Sequence, residues 1–153
     1  MPMTMGLPSH EAMSRRATRR IDFEVPGDVV PWARAGRSKT GATYTPARQG
    51  RYMATIKSLC AAELGGAPPL AGPIGLDVWA NFATPISWSG KKRAAAYWQT
   101  SRPDWDNCAK IVCDALSGVA WLDDKQVCCT SVWKMYSAKP GLILSIWELV
   151  GGA

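Results

Sequence analysis

From residue 21 the chain alternates apolar and polar side chains, with Ile21, Phe23 and Val25 set against Asp22 and Glu24. A period of two predicts a strand, and Pro26-Gly27 ends it. Tyr52, Ile56, Leu59, Cys60 and Glu63 then recur at helical spacing, which predicts a helix over 46–64. Thr45-Pro46 offers an N-cap and a first-turn proline, and Gly65-Gly66 stops it. Beyond the prolines at 68, 69 and 73, a second alternation of Ile74, Leu76, Val78, Ala80 and Phe82 predicts another strand. Residues 84–101 read as an irregular insertion carrying Lys91, Lys92 and Arg93, with a short helix around 94–98. A helix over 106–117 has the apolar stripe Cys108, Ile111, Val112, Ala115 and Leu116, with Asp104 or Asp106 near its N-cap and Gly118 closing it. Residues 127–136 and 142–150 favour strands, joined as a hairpin through Lys139-Pro140-Gly141. The order predicts an α+β single domain, a mixed or antiparallel sheet with two main helices packed on it.

Composition sets the bounds. The chain has 153 residues, enough for one sizeable core, and 47% hydrophobic against 20% charged residues is ordinary for a soluble domain. Residues 1–20, without apolar periodicity and with Arg15, Arg16, Arg19 and Arg20, read as a disordered basic arm before a domain at 21–153. No apolar run approaches a membrane span, and no signal-peptide core precedes the arginines. Five cysteines without a C-x-x-C pair and a single histidine, His10, exclude a structural zinc set. The odd cysteine count suggests reduced thiols and a cytoplasmic location.

Charge narrows the partner. The net charge is +6, and residues 1–51 hold nine basic and four acidic side chains against nine and eight in the rest. Such an excess suits a phosphate backbone. Residues 31–41 place Trp32, Arg34, Arg37 and Lys39 among glycines and a serine, a loop able to hold DNA phosphates. A solvated surface loop is an equal reading of that composition. Arg48, Arg51 and Lys57 belong to the exposed face of the first helix.

Against this basic background stand Asp104-Trp105-Asp106-Asn107, Lys110, and Trp121-Leu122-Asp123-Asp124. Like charges about 4 Å apart repel by roughly 4 kcal/mol at an effective dielectric near 20. Acids brought together therefore want a divalent cation, and oxygen-only ligands suit magnesium or manganese. An EF-hand calcium loop starting at Asp104 fails, because Ala109 and Ala115 stand where glycine and glutamate are needed. Asp106, Lys110 and Asp114 share one helical face, and Asp114 reads as a salt-bridge ladder residue. The apolar turn at 119–122 could fold Asp123-Asp124 back against the helix start. Trp105 reads as a half-buried structural tryptophan, with base stacking as the alternative.

At these residues the chain resembles the RusA family of Holliday-junction resolvases, small magnesium-dependent endonucleases. The resemblance rests on Asp104-x-Asp106-Asn107, Lys110, Asp114-Ala115-Leu116, Trp121-Leu122-Asp123-Asp124-x-Gln126-Val127 and Lys134, with looser similarity back to Ile21. It implies Asp104, Asp106 and Asp124 as catalytic metal ligands for magnesium, with manganese as substitute, and Lys110 as their essential partner. Asp123, Asn107 and Lys134 would support them, and a swap of Asp123 with Asp124 stays open. Arg34, Arg37, Lys39, Arg48 and Arg51 would contact DNA. The implied assembly is a homodimer that nicks opposed strands of a four-way junction. Two other readings stand beside it: a non-catalytic nucleic-acid-binding module, and a flap or fork nuclease. The chain departs from the family in its first twenty residues and in an arginine run reduced to Arg102.

Overall fold

The structure is a computed structural model and describes residues 17–149. Strand β1 (Arg20–Pro26) buries Ile21, Phe23 and Val25 and exposes the residues between them, as alternation requires. In the basic loop that follows, β2 (Gly36–Arg37) and β3 (Thr43–Tyr44) form a small antiparallel ladder. Helix α1 (Ala47–Leu64) has Pro46 as its N-cap without a side-chain hydrogen bond, and Gly65 ends it in the left-handed conformation. Then come β4 (Ile74–Phe82), α2 (Gly90–Ala95) and α3 (Trp105–Leu116). A 3-10 turn (Asp124–Gln126), β5 (Val127–Tyr136) and β6 (Gly141–Glu148) complete the order.

The expected α+β architecture is present. The main sheet is mixed, in the order β1-β6-β4-β5, with β4 and β5 parallel and the other pairs antiparallel. Register aligns Phe23, Leu144 and Val78 across three strands, and Val25, Leu142 and Ala80 beside them. This apolar face meets Tyr52, Ile56 and Cys60 of α1 and Cys108, Ile111, Val112, Ala115 and Leu116 of α3 in one core.

Two expectations are corrected. β5 and β6 do not pair as a hairpin, because β4 lies between them. The burial of each strand accounts for this. β6 is buried on both faces, through Leu142, Leu144 and Ile146 on one and Ser145 and Trp147 on the other, as suits an inner strand. β5 exposes Cys128 and Thr130 and takes the edge. The short helix of the insertion lies at Gly90–Ala95, earlier than expected, because the Ser89 hydroxyl accepts from Lys92 N and caps it there. Residues 97–99 are instead extended along the outer edge of β5, with a Trp98–Met135 bridge.

Residues 1–16 of the expected arm, with Arg15 and Arg16, lie outside the described residues, as does Val150. Arg19 is described: Nη2 donates to Pro68 O at 2.7 Å and Nη1 lies 3.7 Å from Glu148. Arg20 opens β1. Among the described residues no helix is long and apolar enough to cross a membrane.

On the sheet face away from the helices, the Trp147 ring packs against Gly75, and a Cβ at residue 75 would collide with it. Trp147 is fully buried and cannot swing clear. Gly75→Ala should therefore destabilise the fold by about 1–3 kcal/mol, the usual cost of overpacking. Urea unfolding checks this; an unchanged midpoint would contradict the packing.

Candidate active site

Helix α3 organises the site because its two faces have opposite fates. Cys108, Ile111, Val112, Ala115 and Leu116 are buried. Asp106 and Lys110 are exposed and Asp114 is half-exposed, so the polar stripe faces outward. Asp104 is the N-cap residue but makes no side-chain cap bond. Among the described residues neither Asp104 nor Asp106 engages its carboxylate in a hydrogen bond or ion pair. Carboxylates at this end are favoured by the helix dipole, which offsets part of their mutual repulsion.

The segment before Asp104 is clamped from below. Gln99 is buried, and its Nε2 donates to Arg102 O at 2.9 Å. Gln99 N donates to Lys134 O at 3.1 Å, and Lys134 Nζ donates to Ser101 O at 2.8 Å. Lys134 thus acts on the backbone that leads to the two aspartates. Gln99 was not anticipated from sequence, since a lone glutamine in a loop carries no pattern.

Lys110 is clamped from the side. Its Nζ lies 4.8 Å from the centroid of the Trp32 ring and 3.7 Å from Asp114 Oδ1. The Asp106–Lys110–Asp114 stripe thus includes the expected ladder contact at its second step. Trp32 N donates to Asn107 O at 3.1 Å, which fixes the basic loop to the first turn of α3. Ala33 N donates to Gln49 Oε1 of α1 at 2.8 Å, and Gln49 is buried. The loop carrying Arg34, Arg37 and Lys39 is therefore tied at its base to both helices. Those three side chains and Arg48 and Arg51 of α1 are all exposed, and none is ion-paired among the described residues. The sequence placed Trp32 in the basic loop but gave no sign of its contact with Lys110, and Gln49 was not anticipated; the partners of both are distant in the chain.

The second acidic pair has a built geometry of its own. Asp123 caps the 3-10 turn: its Oδ1 accepts from Lys125 N at 2.9 Å, and Gln126 Oε1 accepts from Asp123 N at 3.0 Å. This is a capping box, a D-x-x-Q signal readable in the sequence. Gln126 Nε2 also donates to Gly72 O at 3.0 Å, anchoring the turn to the chain before β4. Asp124 has a different role. Its Oδ1 accepts from Nε1 of the buried Trp121 at 2.9 Å, while Oδ2 makes no such bond.

Electrostatics locate these groups along α3. Burial pushes the Cys113 thiol up to about 12, with Asp124 and Asp114 adding and Lys110 opposing. Burial pushes Cys108 up to about 11, with Lys134 opposing and Asp106 and Asp104 adding. Asp104 and Asp106 thus act on Cys108, and Asp124 and Asp114 on Cys113. Among the described residues no three Asp, Glu, His or Cys side chains are close enough to enclose a metal ion. The donor set nevertheless fits a magnesium-type ion, because Asp104 and Asp106 are exposed hard-oxygen ligands left without protein partners. Such ions are commonly held by one or two carboxylates, with water and substrate phosphate completing the shell.

Trp105, between the two acids, is 62% exposed, so the expected half-buried structural role is corrected. It occupies the first turn of α3 on the solvent side, outside the buried stripe.

The sequence profile of the family described as Endodeoxyribonuclease RusA matches residues 26–147. The chain belongs to the RusA endodeoxyribonuclease family. It is also similar to the Uncharacterized protein YqaN of Bacillus subtilis (strain 168), with 30% identity over 138 residues. That alignment covers 84% of this chain and 96% of YqaN. The RusA match spans β1's end through β6, and so includes the basic loop, α3 and the capped turn. It supports a phosphodiester-cleaving nuclease acting on DNA.

Two buried thiols, Cys60 and Cys108, and the half-buried Cys113 give a test of this packing. Cys60 is pushed up to about 11 by burial, with Glu63 adding. In the unfolded chain these thiols ionise near 9, so above that pH the folded state holds more protons. Their contribution to stability is complete below pH 9 and is lost as pH rises toward 11–12. The urea midpoint should fall over this window, and less steeply in Cys113→Ala. Equal slopes in the two proteins would contradict the burial of Cys113 beside the site.

Proposed function

We propose that this RusA-family protein is a magnesium-dependent, structure-specific endodeoxyribonuclease that resolves four-way DNA junctions by paired nicks. The observation that carries this reading is the outward stripe of α3, where the unengaged Asp104 and Asp106 stand beside Lys110. Asp104 and Asp106 would hold the ion, with DNA phosphate completing its shell and manganese as a substitute; Asp124, outside that pair among the described residues, is the third ligand the family resemblance implies. Bound there, magnesium would activate water and stabilise charge on the scissile phosphate.

The chain's own residues supply positioning and charge. Lys110, held between the Trp32 ring and Asp114, presents an ammonium where negative charge grows on the phosphate oxygens. Trp121 fixes one oxygen of Asp124 and leaves the other to the site. Asp123 is committed to its turn, which favours Asp124 as the ligand of the pair. Lys134 and Gln99 hold the segment entering Asp104, and Asn107 joins the first turn to the basic loop through its carbonyl.

Arg34, Arg37 and Lys39 on the loop, with Arg48 and Arg51 on α1, would grip the DNA arms. A homodimer in the cytoplasm would place two such sites on a nearly two-fold junction, as paired nicking needs. A flap or fork nuclease would use the same residues on another branched substrate.

Asp106→Asn keeps the side chain's shape and removes its charge. It should reduce nicking of a synthetic four-way junction by about a hundredfold or more, roughly 2.7 kcal/mol of barrier, while binding changes little. Gel assays on four-way, flap, fork and linear substrates at fixed salt measure both. Nicking within about threefold of wild type, roughly 0.7 kcal/mol, would remove Asp106 from the chemistry. Equal cutting of all shapes would remove the junction as the substrate.

A further inference from the structure

The insertion between β4 and α3 carries a second surface, separate from the acids and the basic loop. Lys91, Lys92 and Arg93 all lie on α2 and all are exposed. Lys92 lines an open cleft of about 480 Å³ whose other walls include Trp88, Tyr97, Trp98, Ser101 and Tyr136, whereas Arg93 Nε donates to Thr84 Oγ1 at 3.1 Å. That volume lies within the ~300–1,000 Å³ range of ligand-sized clefts.

The aromatic groups are ordered into a platform. Trp88 meets Tyr136 edge-on at 5.3 Å, and Lys92 Nζ lies 4.1 Å from the Trp88 ring centroid. Tyr97 and Trp98 stand perpendicular to one another at 4.7 Å. Their backbone is pinned to the sheet edge: Tyr136 N donates to Tyr97 O at 2.8 Å, and Gln99 N to Lys134 O. Yet Tyr97 and Trp98 are 60% and 59% exposed. A fixed backbone that presents two large rings to solvent has already lost much of the entropy that binding would remove.

We propose that this cleft binds unpaired nucleobases of a DNA strand, stacked on Trp98 and Tyr97, with the strand's phosphates on Lys92 and, next to it on α2, the exposed Lys91. The occupant is argued from charge and from continuity. Aromatic faces interleaved with cations are what single strands need, because every base has a stacking face and every linkage a negative charge. Ser101 lies on the cleft wall, and its carbonyl accepts the Lys134 bond that holds the segment entering Asp104. A strand leaving the cleft is thereby led toward the exposed acids. This inference rests on the nuclease reading and names the part of the substrate that distinguishes branched from linear DNA. Bases at a branch point are those most readily unpaired, so the cleft would favour branches over duplex arms.

The test uses the full chain in a chelator, so that no cleavage enters the measurement. Fluorescence anisotropy is recorded with a labelled twelve-residue oligothymidylate and with a duplex of equal length. Trp98→Ala should weaken oligothymidylate binding by about tenfold, in keeping with the loss of one stacked base, and change duplex binding by less than about twofold. Trp98→Phe, which keeps a stacking face, should restore most of the loss. Because Trp98 contributes its backbone to the sheet edge and its side chain to solvent, an unchanged thermal midpoint is expected for both variants. Unchanged oligothymidylate binding in Trp98→Ala would overturn the proposal. So would equal losses on both probes together with a fall in sedimentation mass, which would assign the rings to contact with a second copy. Junction nicking in magnesium is scored separately. Nicking with Trp98-independent strand binding sinks only the cleft. Trp98-dependent strand binding without nicking sinks only the nuclease reading.

Discussion

The docking of α3 is the constraint on which the rest depends. Its apolar stripe, Cys108 to Leu116, is held by the sheet and α1 in one core. A helix fixed on one face has no rotational freedom left on the other, so Asp106, Lys110 and Asp114 must point outward together. The same packing sets where the N-terminus of α3 lies, and hence where Asp104 is offered. Burying a helix that carries three charged side chains is tolerable only because all three lie on its solvent-facing side.

Around that helix the protein uses several short-range clamps. Trp32 holds Lys110 from the basic loop, Gln49 ties the loop to α1, and Lys134 with Gln99 fixes the segment before Asp104. Trp121 fixes Asp124 from within the core. Most of these clamps start from a buried or sheet-bound residue (Gln49, Gln99, Lys134, Trp121) and hold a group at the surface. The residues proposed to carry the chemistry are thus mounted on rigid parts, and the exposed cations around them would be free to meet a polyanion. Positioning of this kind is what lets a site act on a phosphate without large rearrangement.

Much of this was legible in the sequence, for local reasons. The alternation of Ile21, Phe23 and Val25 and of Ile74 to Phe82 gave two strands, and the stripe of α3 together with its i,i+4 polar row gave both faces of the helix. The resemblance at Asp104, Asp106, Lys110 and Asp124 led to the RusA family, which the match over 26–147 supports. Strand order was not legible, because a strand's neighbours are chosen by faces that meet only in three dimensions; β4 takes the place between β5 and β6. Trp32 and Lys110 are also far apart in the chain, so no spacing rule couples them. The exposure of Trp105 ran against its type, and only the orientation of the first turn of α3 explains it.

The central claim is that the outward acids of α3, completed by DNA phosphate, hold a divalent cation. Calorimetric titration of manganese into the protein bound to a four-way junction tests it most directly. Wild type should give saturable binding that is lost when Asp104 and Asp106 are both changed to asparagine, with the junction still bound. Manganese binding of equal strength and stoichiometry in that double variant would contradict the account.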